Sequence, residues 1–223
     1  MNKRSKYGLA VILYVLFLAL IVLLKTVDVA PIGPENGMVG LAGVNEAVSS
    51  RVLRGGVNMK WYKITELLGY FSILVACIFA LVGAVQLVRR RSLRKVDRQI
   101  LALGGMFILA ILLYVFFEKL VINCRPVILP GETGPEASFP SSHTVLVCVI
   151  MGGVIMILRD YVKQPFLCGI LRLAAAAVIV VMVALRLLCG CHWFTDILGG
   201  ILASGAMLAL FGAVIDDEGE GKA

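Results

Sequence analysis

Six apolar stretches constrain this chain more than any other feature of its sequence. They run approximately Tyr7–Leu24, Ile64–Val88, Ile100–Val121, His143–Leu158, Phe166–Leu188 and Trp193–Ile215. A bilayer core of ~30 Å takes about 20 helical residues to cross. Lipid offers no partner to a free backbone amide, so an open-ended span must be a helix. The expected fold is all-α and polytopic: a bundle of six transmembrane helices forming a single domain over residues 1–223. The fourth stretch is the shortest and starts next to a loop. The first has a basic start (Lys3, Arg4, Lys6) but a long apolar run and no small-residue cleavage pattern. It reads as an anchor rather than a signal peptide.

Composition agrees. Hydrophobic residues make up 60% of the chain and charged ones 16%, with a mean hydropathy of +0.96. Soluble domains are roughly 45–50% apolar and about 25% charged. A soluble globule, a disordered chain and a coiled coil are all excluded. The net charge of +7 fits an anionic lipid surface and needs no nucleic acid.

Charge also predicts orientation. Basic residues gather at the N-terminus, in the run Arg89-Arg90-Arg91-Ser92-Leu93-Arg94-Lys95 with Arg98, and at Arg159 and Lys163. With six spans these share one side, which the positive-inside rule makes cytoplasmic. The acidic tail (Asp216, Asp217, Glu218, Glu220) falls there too. The opposite side receives three loops: Val27–Lys63, Asn123–Ser142 and the turn Cys189–His192. The first carries a weakly amphipathic piece, Leu41–Leu53, and then Trp61 and Tyr62, which read as an interfacial belt.

The two histidines, His143 and His192, both fall at the ends of spans on that side. Asp196 follows His192 by four residues, so on a helix the two share a face. The carboxylate can take one ring N–H and leave the other nitrogen as nucleophile or base. Pro140-Ser141-Ser142-His143 leads into the fourth span. Serine favours a helix N-cap, and unpaired N–H groups there suit an anion. Lys119, Arg125 and Arg186 flank the same region, and arginine donates to phosphate oxygens in pairs. Taken singly, each has a bland reading as a cap or a snorkelling side chain. Together they point to phosphoryl transfer without a metal: cations and amides hold the anion, one histidine attacks and the other moves protons. Cys189-Gly190-Cys191-His192 lacks the second pair that a metal site requires. No metal and no cofactor are expected. Cys124, Cys189 and Cys191 read as incidental, or as disulfide partners if oxidised.

These residues resemble the three motifs of the type-2 phosphatidic acid phosphatase superfamily. The third motif, S-R-x5-H-x3-D, is matched by Leu185-Arg186, His192 and Asp196. The second, P-S-G-H, is matched by Pro140-Ser141-Ser142-His143, and the first, K-x6-R-P, by Lys119, Arg125 and Pro126. Leu185 replaces a serine, Ser142 replaces a glycine, and the lysine spacing is one residue short, with Glu118 in the expected place. The resemblance implies a six-helix lipid phosphatase. In it His192 would be the nucleophile, Asp196 its orienting partner and His143 the acid and base. Lys119, Arg125, Ser141, Ser142 and Arg186 would hold the phosphate. The implied substrate is a membrane lipid phosphate or diphosphate of the undecaprenyl diphosphate, phosphatidylglycerophosphate or phosphatidic acid class, met at the extracytoplasmic ends of the helices. A lipid phosphotransferase with the same site, or a non-catalytic lipid-phosphate carrier, remain as alternatives.

Overall fold

A computed structural model of the chain describes residues 2–53 and 56–216. Asp217, Glu218 and Glu220 of the acidic tail lie outside the described residues. Among the described residues seven α-helices follow one another: α1 (Lys3–Thr26), α2 (Ala42–Val52), α3 (Met59–Arg90), α4 (Arg98–Lys119), α5 (Ser142–Tyr161), α6 (Pro165–Leu188) and α7 (Phe194–Ile215). All but the short α2 are long and apolar enough to cross a membrane. The longest, α3, extends well past its apolar core at the N-terminal end.

Burial ranks the helices. Within its most apolar window, α5 is 67% buried and α7 is 56%, whereas the other four spans reach only 11–28%. So α5 and α7 form the centre of the bundle, and the other spans turn most of their apolar surface outward. Glycine brings the two central helices together. A Cβ on Gly200 would lie 2.9 Å from Cβ of Thr144 on α5, and one on Gly199 would lie 2.4 Å from the Phe139 ring. Further down, a Cβ on Gly152 of α5 would meet Leu208 of α7 at 2.6 Å. Close backbone approach through small residues is the usual way helices associate in lipid, where no hydrophobic force joins them.

α1 packs antiparallel along α7. At one end Lys6 pairs with the Asp216 carboxylate and donates to the Gly212 carbonyl. At the basic end of the bundle Asp97 accepts hydrogen bonds from Gln86 and Arg90 of α3 (both 2.7 Å) and from Tyr161 of α5 (3.2 Å). The Arg90 hydrogen bond is the main cause holding the Asp97 carboxyl below its ordinary pKa.

The first long loop is folded rather than slack. Ala30 pairs with Val39, and α2 lies across the opposite end of the bundle. Asn45 of α2 is fully buried. Its amide donates to the Gly40 carbonyl (2.9 Å) and to Thr195 Oγ1 (3.0 Å), and its carbonyl accepts the Thr195 N–H (3.2 Å). The piece expected to be amphipathic thus clamps the first turn of α7. Of the expected aromatic belt, Trp61 is exposed, but Tyr62 turns inward, with the Arg186 guanidinium 5.2 Å from its ring centroid. A buried cation draws an aromatic face more strongly than the interface does.

The α5–α7 contact supplies a test. Gly200→Ala places a methyl against a Cβ that cannot swing away, and overpacking of this kind costs about 1–3 kcal/mol. Gly169 on α6 meets nothing within 4 Å, so Gly169→Ala is the control. Thermal unfolding in detergent should show a lowered midpoint for Gly200→Ala and no loss for Gly169→Ala.

Candidate active site

The site lies where α3, α5, α6 and α7 end beside the loops 120–141 and 189–193. Each functional side chain is placed by a local device. Gly190 adopts φ +80° and ends α6, a left-handed conformation that glycine takes without strain. Leu53 packs directly on it, leaving no room for a Cβ. The chain then turns so tightly that Cys191, His192 and Trp193 are all buried before α7 begins.

His192 therefore precedes the helix rather than riding on it. Its Nδ1 lies 3.4 Å from Asp196 Oδ2, across the start of α7 and not along a helical face. The same oxygen accepts the Trp193 N–H at 2.9 Å, so Asp196 caps α7 and faces His192 at once. Both side chains are almost completely buried. Burial, then the nearby Arg125 and Arg186, push the His192 pKa well below its ordinary value. The imidazole is neutral at physiological pH. With its proton on Nδ1 toward the carboxylate, Nε2 keeps its lone pair.

Arg125 faces that nitrogen. Its Nη1 is 3.5 Å from His192 Nε2 and 3.4 Å from the Cys191 carbonyl, and its Nε is 2.9 Å from Glu136 Oε2. A short antiparallel pairing holds it there. Arg125 N–H donates to the Glu136 carbonyl and Ser138 N–H to the Asn123 carbonyl, both at 2.9 Å. Trp193 Nε1–H closes the loop onto the Cys124 carbonyl at 2.7 Å.

Ser141 and Ser142 part company. Ser141 is fully buried: its N–H donates to the Asp196 carbonyl (3.0 Å) and its hydroxyl accepts from Thr144 (3.0 Å). It ties the start of α5 to the start of α7, and its hydroxyl caps no backbone amide. Ser142 opens α5, where the first N–H groups lack helical acceptors, and it lines a cavity of about 360 Å³. His143, Arg125, Glu136 and His192 line the polar end of that cavity, while Ala110, Ile111, Leu113, Phe117, Val145 and Leu146 form its walls. Lys119 is exposed and is not part of the lining, although Glu118 is. Arg186 lies behind His143, fully buried. It contacts His143 Nδ1, and its Nη2 is 3.1 Å from Glu66 Oε1. Sequence reasoning missed Glu66, Glu136 and Asn45, which are the partners of the residues it found.

The cysteines are free, and the Cys189 and Cys191 thiols lie 3.0 Å apart. Their hydrogen bond holds Cys189 down at about 7 and pushes Cys191 up. Among the described residues no three His, Cys, Asp or Glu side chains converge as metal ligands would.

Comparison with known proteins comes to the same region. The family model of the PAP2 superfamily matches residues 99–219, more than half of the chain and a range that contains Lys119, Arg125, His143, Arg186, His192 and Asp196. The chain is also similar to a solved structure described as the first transmembrane PAP2 type phosphatidylglycerolphosphate phosphatase, from Bacillus subtilis. The identity is 19% and the TM-score 0.62, over 96% of this chain and 98% of that one. At this identity the likeness is one of fold. No curated protein matches the sequence.

The burial of His192 generates a pH dependence. Folded His192 stays neutral, whereas the unfolded chain takes up its proton below about pH 6.5. At this one group the unfolded state binds more protons, so the contribution of His192 to stability falls as the pH drops through that value, by at most about 1.4 kcal/mol per pH unit. His192→Gln should remove this part of the slope, seen as a flatter dependence of the unfolding midpoint between pH 7 and 5.

Proposed function

The chain belongs to the PAP2 superfamily, and from that membership we propose that it is an integral membrane phosphatase acting on a lipid phosphate or diphosphate. One observation carries the reading: the cavity has a polar end with both histidines and Arg125, and apolar walls contributed by α4 and α5. Such a space suits an amphiphile whose phosphate enters the polar end while its hydrocarbon lies against the helices.

In this reading Nε2 of His192 attacks phosphorus in line with the leaving oxygen. Asp196 steadies the ring and the charge that develops on it. The bond to the lipid oxygen breaks, and His143 gives that oxygen a proton. Water then attacks the phosphohistidine, His143 takes its proton, and phosphate leaves as the P–N bond breaks. Arg125 lies beside the attacking nitrogen and supplies the nearest cation, with the first amides of α5 at Ser142 as further donors. Ser141 acts by joining the helix starts. Arg186 contributes its field from behind His143, and Lys119 contributes less than Arg125 because it lies outside the cavity lining. The charge compensation comes from side chains, so no metal is required. Phosphatidylglycerophosphate, named for the Bacillus subtilis protein, phosphatidic acid and undecaprenyl diphosphate all fit the required chemistry. The proposed orientation sets the Arg89–Arg98 turn and both termini in the cytoplasm, with the site on the outer face.

Purified protein in detergent should release inorganic phosphate from such lipids with EDTA present. His192→Ala should abolish turnover, and Arg125→Ala should cost far more than Lys119→Ala. Loss of activity on chelation, restored by one divalent metal, would overturn the mechanism. A new phospholipid formed in place of free phosphate would make the protein a transferase, and no turnover on any panel lipid would leave it a binding protein.

Orientation has its own check. With all native cysteines replaced, Ser92→Cys should resist a membrane-impermeant maleimide in sealed cells and react after permeabilisation. Labelling from outside would invert the topology and move the site to the cytoplasm.

A further inference from the structure

His143 is held by a partner that lies far away in the sequence. Glu66, in the second turn of α3, places Oε1 3.1 Å from His143 Nε2 and 3.1 Å from Arg186 Nη2. Arg186 in turn contacts His143 Nδ1, closing a three-membered ring of contacts. A guanidinium can only donate, so Nδ1 must be the accepting nitrogen. A neutral His143 then carries its proton on Nε2 and donates it to Glu66. Gly69, three residues further along the same face of α3, makes room for the ring: a Cβ there would lie 3.1 Å from His143 Cδ2. Arg186 is fully buried, and among the described residues Glu66 is the one carboxylate paired with it.

We propose that Glu66 is the positioning residue for His143, matching the role of Asp196 toward His192; the kinetic part rests on the phosphatase reading above. Each histidine then has its own carboxylate, and the two carboxylates act on opposite nitrogens. Asp196 faces Nδ1 of His192 and leaves Nε2 to attack. Glu66 accepts the Nε2–H hydrogen bond of His143 and pairs with the buried Arg186 through the same oxygen. To act as an acid His143 must first gain a second proton, on Nδ1, as Arg186 turns from that nitrogen to Glu66; the imidazolium then gives its Nε2 proton to the leaving group and is left neutral, so Glu66 is a resting partner and not the final acceptor.

The chain has two histidines, so ¹⁵N-histidine labelling yields two ring patterns, which His192→Gln assigns. In detergent, wild-type His143 should show a protonated Nε2 and an unprotonated Nδ1 at neutral pH; the reverse tautomer overturns the proposal without any mutation. Glu66→Ala should change that pattern and leave the pattern of His192 unmoved. Gly69→Ala should shift it in part, since the ring must yield by a few tenths of an ångström. On a lipid phosphate, Glu66→Ala should lower kcat about 10- to 100-fold with KM little changed, a share of the ~10²–10⁴ that a general acid supplies. The initial burst from an activated aryl phosphate, whose leaving group needs little protonation, should be far less affected. Glu66→Asp should recover more kcat than Glu66→Ala. An unchanged His143 pattern in folded Glu66→Ala, or equal losses on both substrates, would reduce Glu66 to structural support. If the wild type turns over no phosphate ester, the function fails while the tautomer result still decides the placement of Glu66.

Discussion

Two ionisable side chains, Arg186 and Asp196, are buried at one end of an otherwise apolar bundle, and most of the architecture at that end exists to accommodate them. An isolated ion there would be very costly. Each is therefore met by groups from elements that are otherwise unrelated. Arg186 receives Glu66 from α3, the ring of Tyr62 and the Nδ1 of His143. Asp196 receives the Trp193 amide and faces His192, and its own carbonyl accepts the Ser141 amide. The loops follow suit. The segment after α4 folds back on itself so that Arg125 reaches His192, and α2 lies over the start of α7 so that Asn45 can satisfy Thr195. The ordering of these loops is a consequence of burying charge.

The bundle itself was legible because lipid imposes one simple rule on sequence. Only a long apolar run survives in the bilayer, and such runs are visible without knowing what they pack against. His143, His192, Asp196 and Arg125 were legible for a related reason. Polar residues are rare in this chain, and these sit at span ends in a pattern whose chemistry coheres. Their partners were not. Glu66 lies two residues inside the second apolar stretch and reads locally as an interfacial carboxylate; its partner Arg186 is 120 residues away. Glu136 lies in a loop and Asn45 on the short α2, and their roles appear only once these segments have folded.

The two serines show the same limit in reverse. Adjacent and chemically alike, both suit an anion-binding cap. The helix boundary decides between them: Ser141, with a non-helical backbone just before α5, turns into the α5–α7 seam, whereas Ser142 begins the helix and lines the cavity. At Lys119 helical rotation decides, since one residue is about 100° of turn on α4: Lys119 points outward and Glu118 joins the cavity lining. Reading a motif by residue type alone discards this angular information.

The glycines of the α5–α7 seam carry one further consequence. His143 and His192 stand at the ends of the two helices that those glycines allow to touch. The gap between the imidazoles is thus governed from within the hydrocarbon layer, by carbon atoms that are missing a turn or more below the chemistry. A chain of this kind can retune the spacing of its reactive groups without altering any polar residue, simply by adding or removing methyl groups in the membrane.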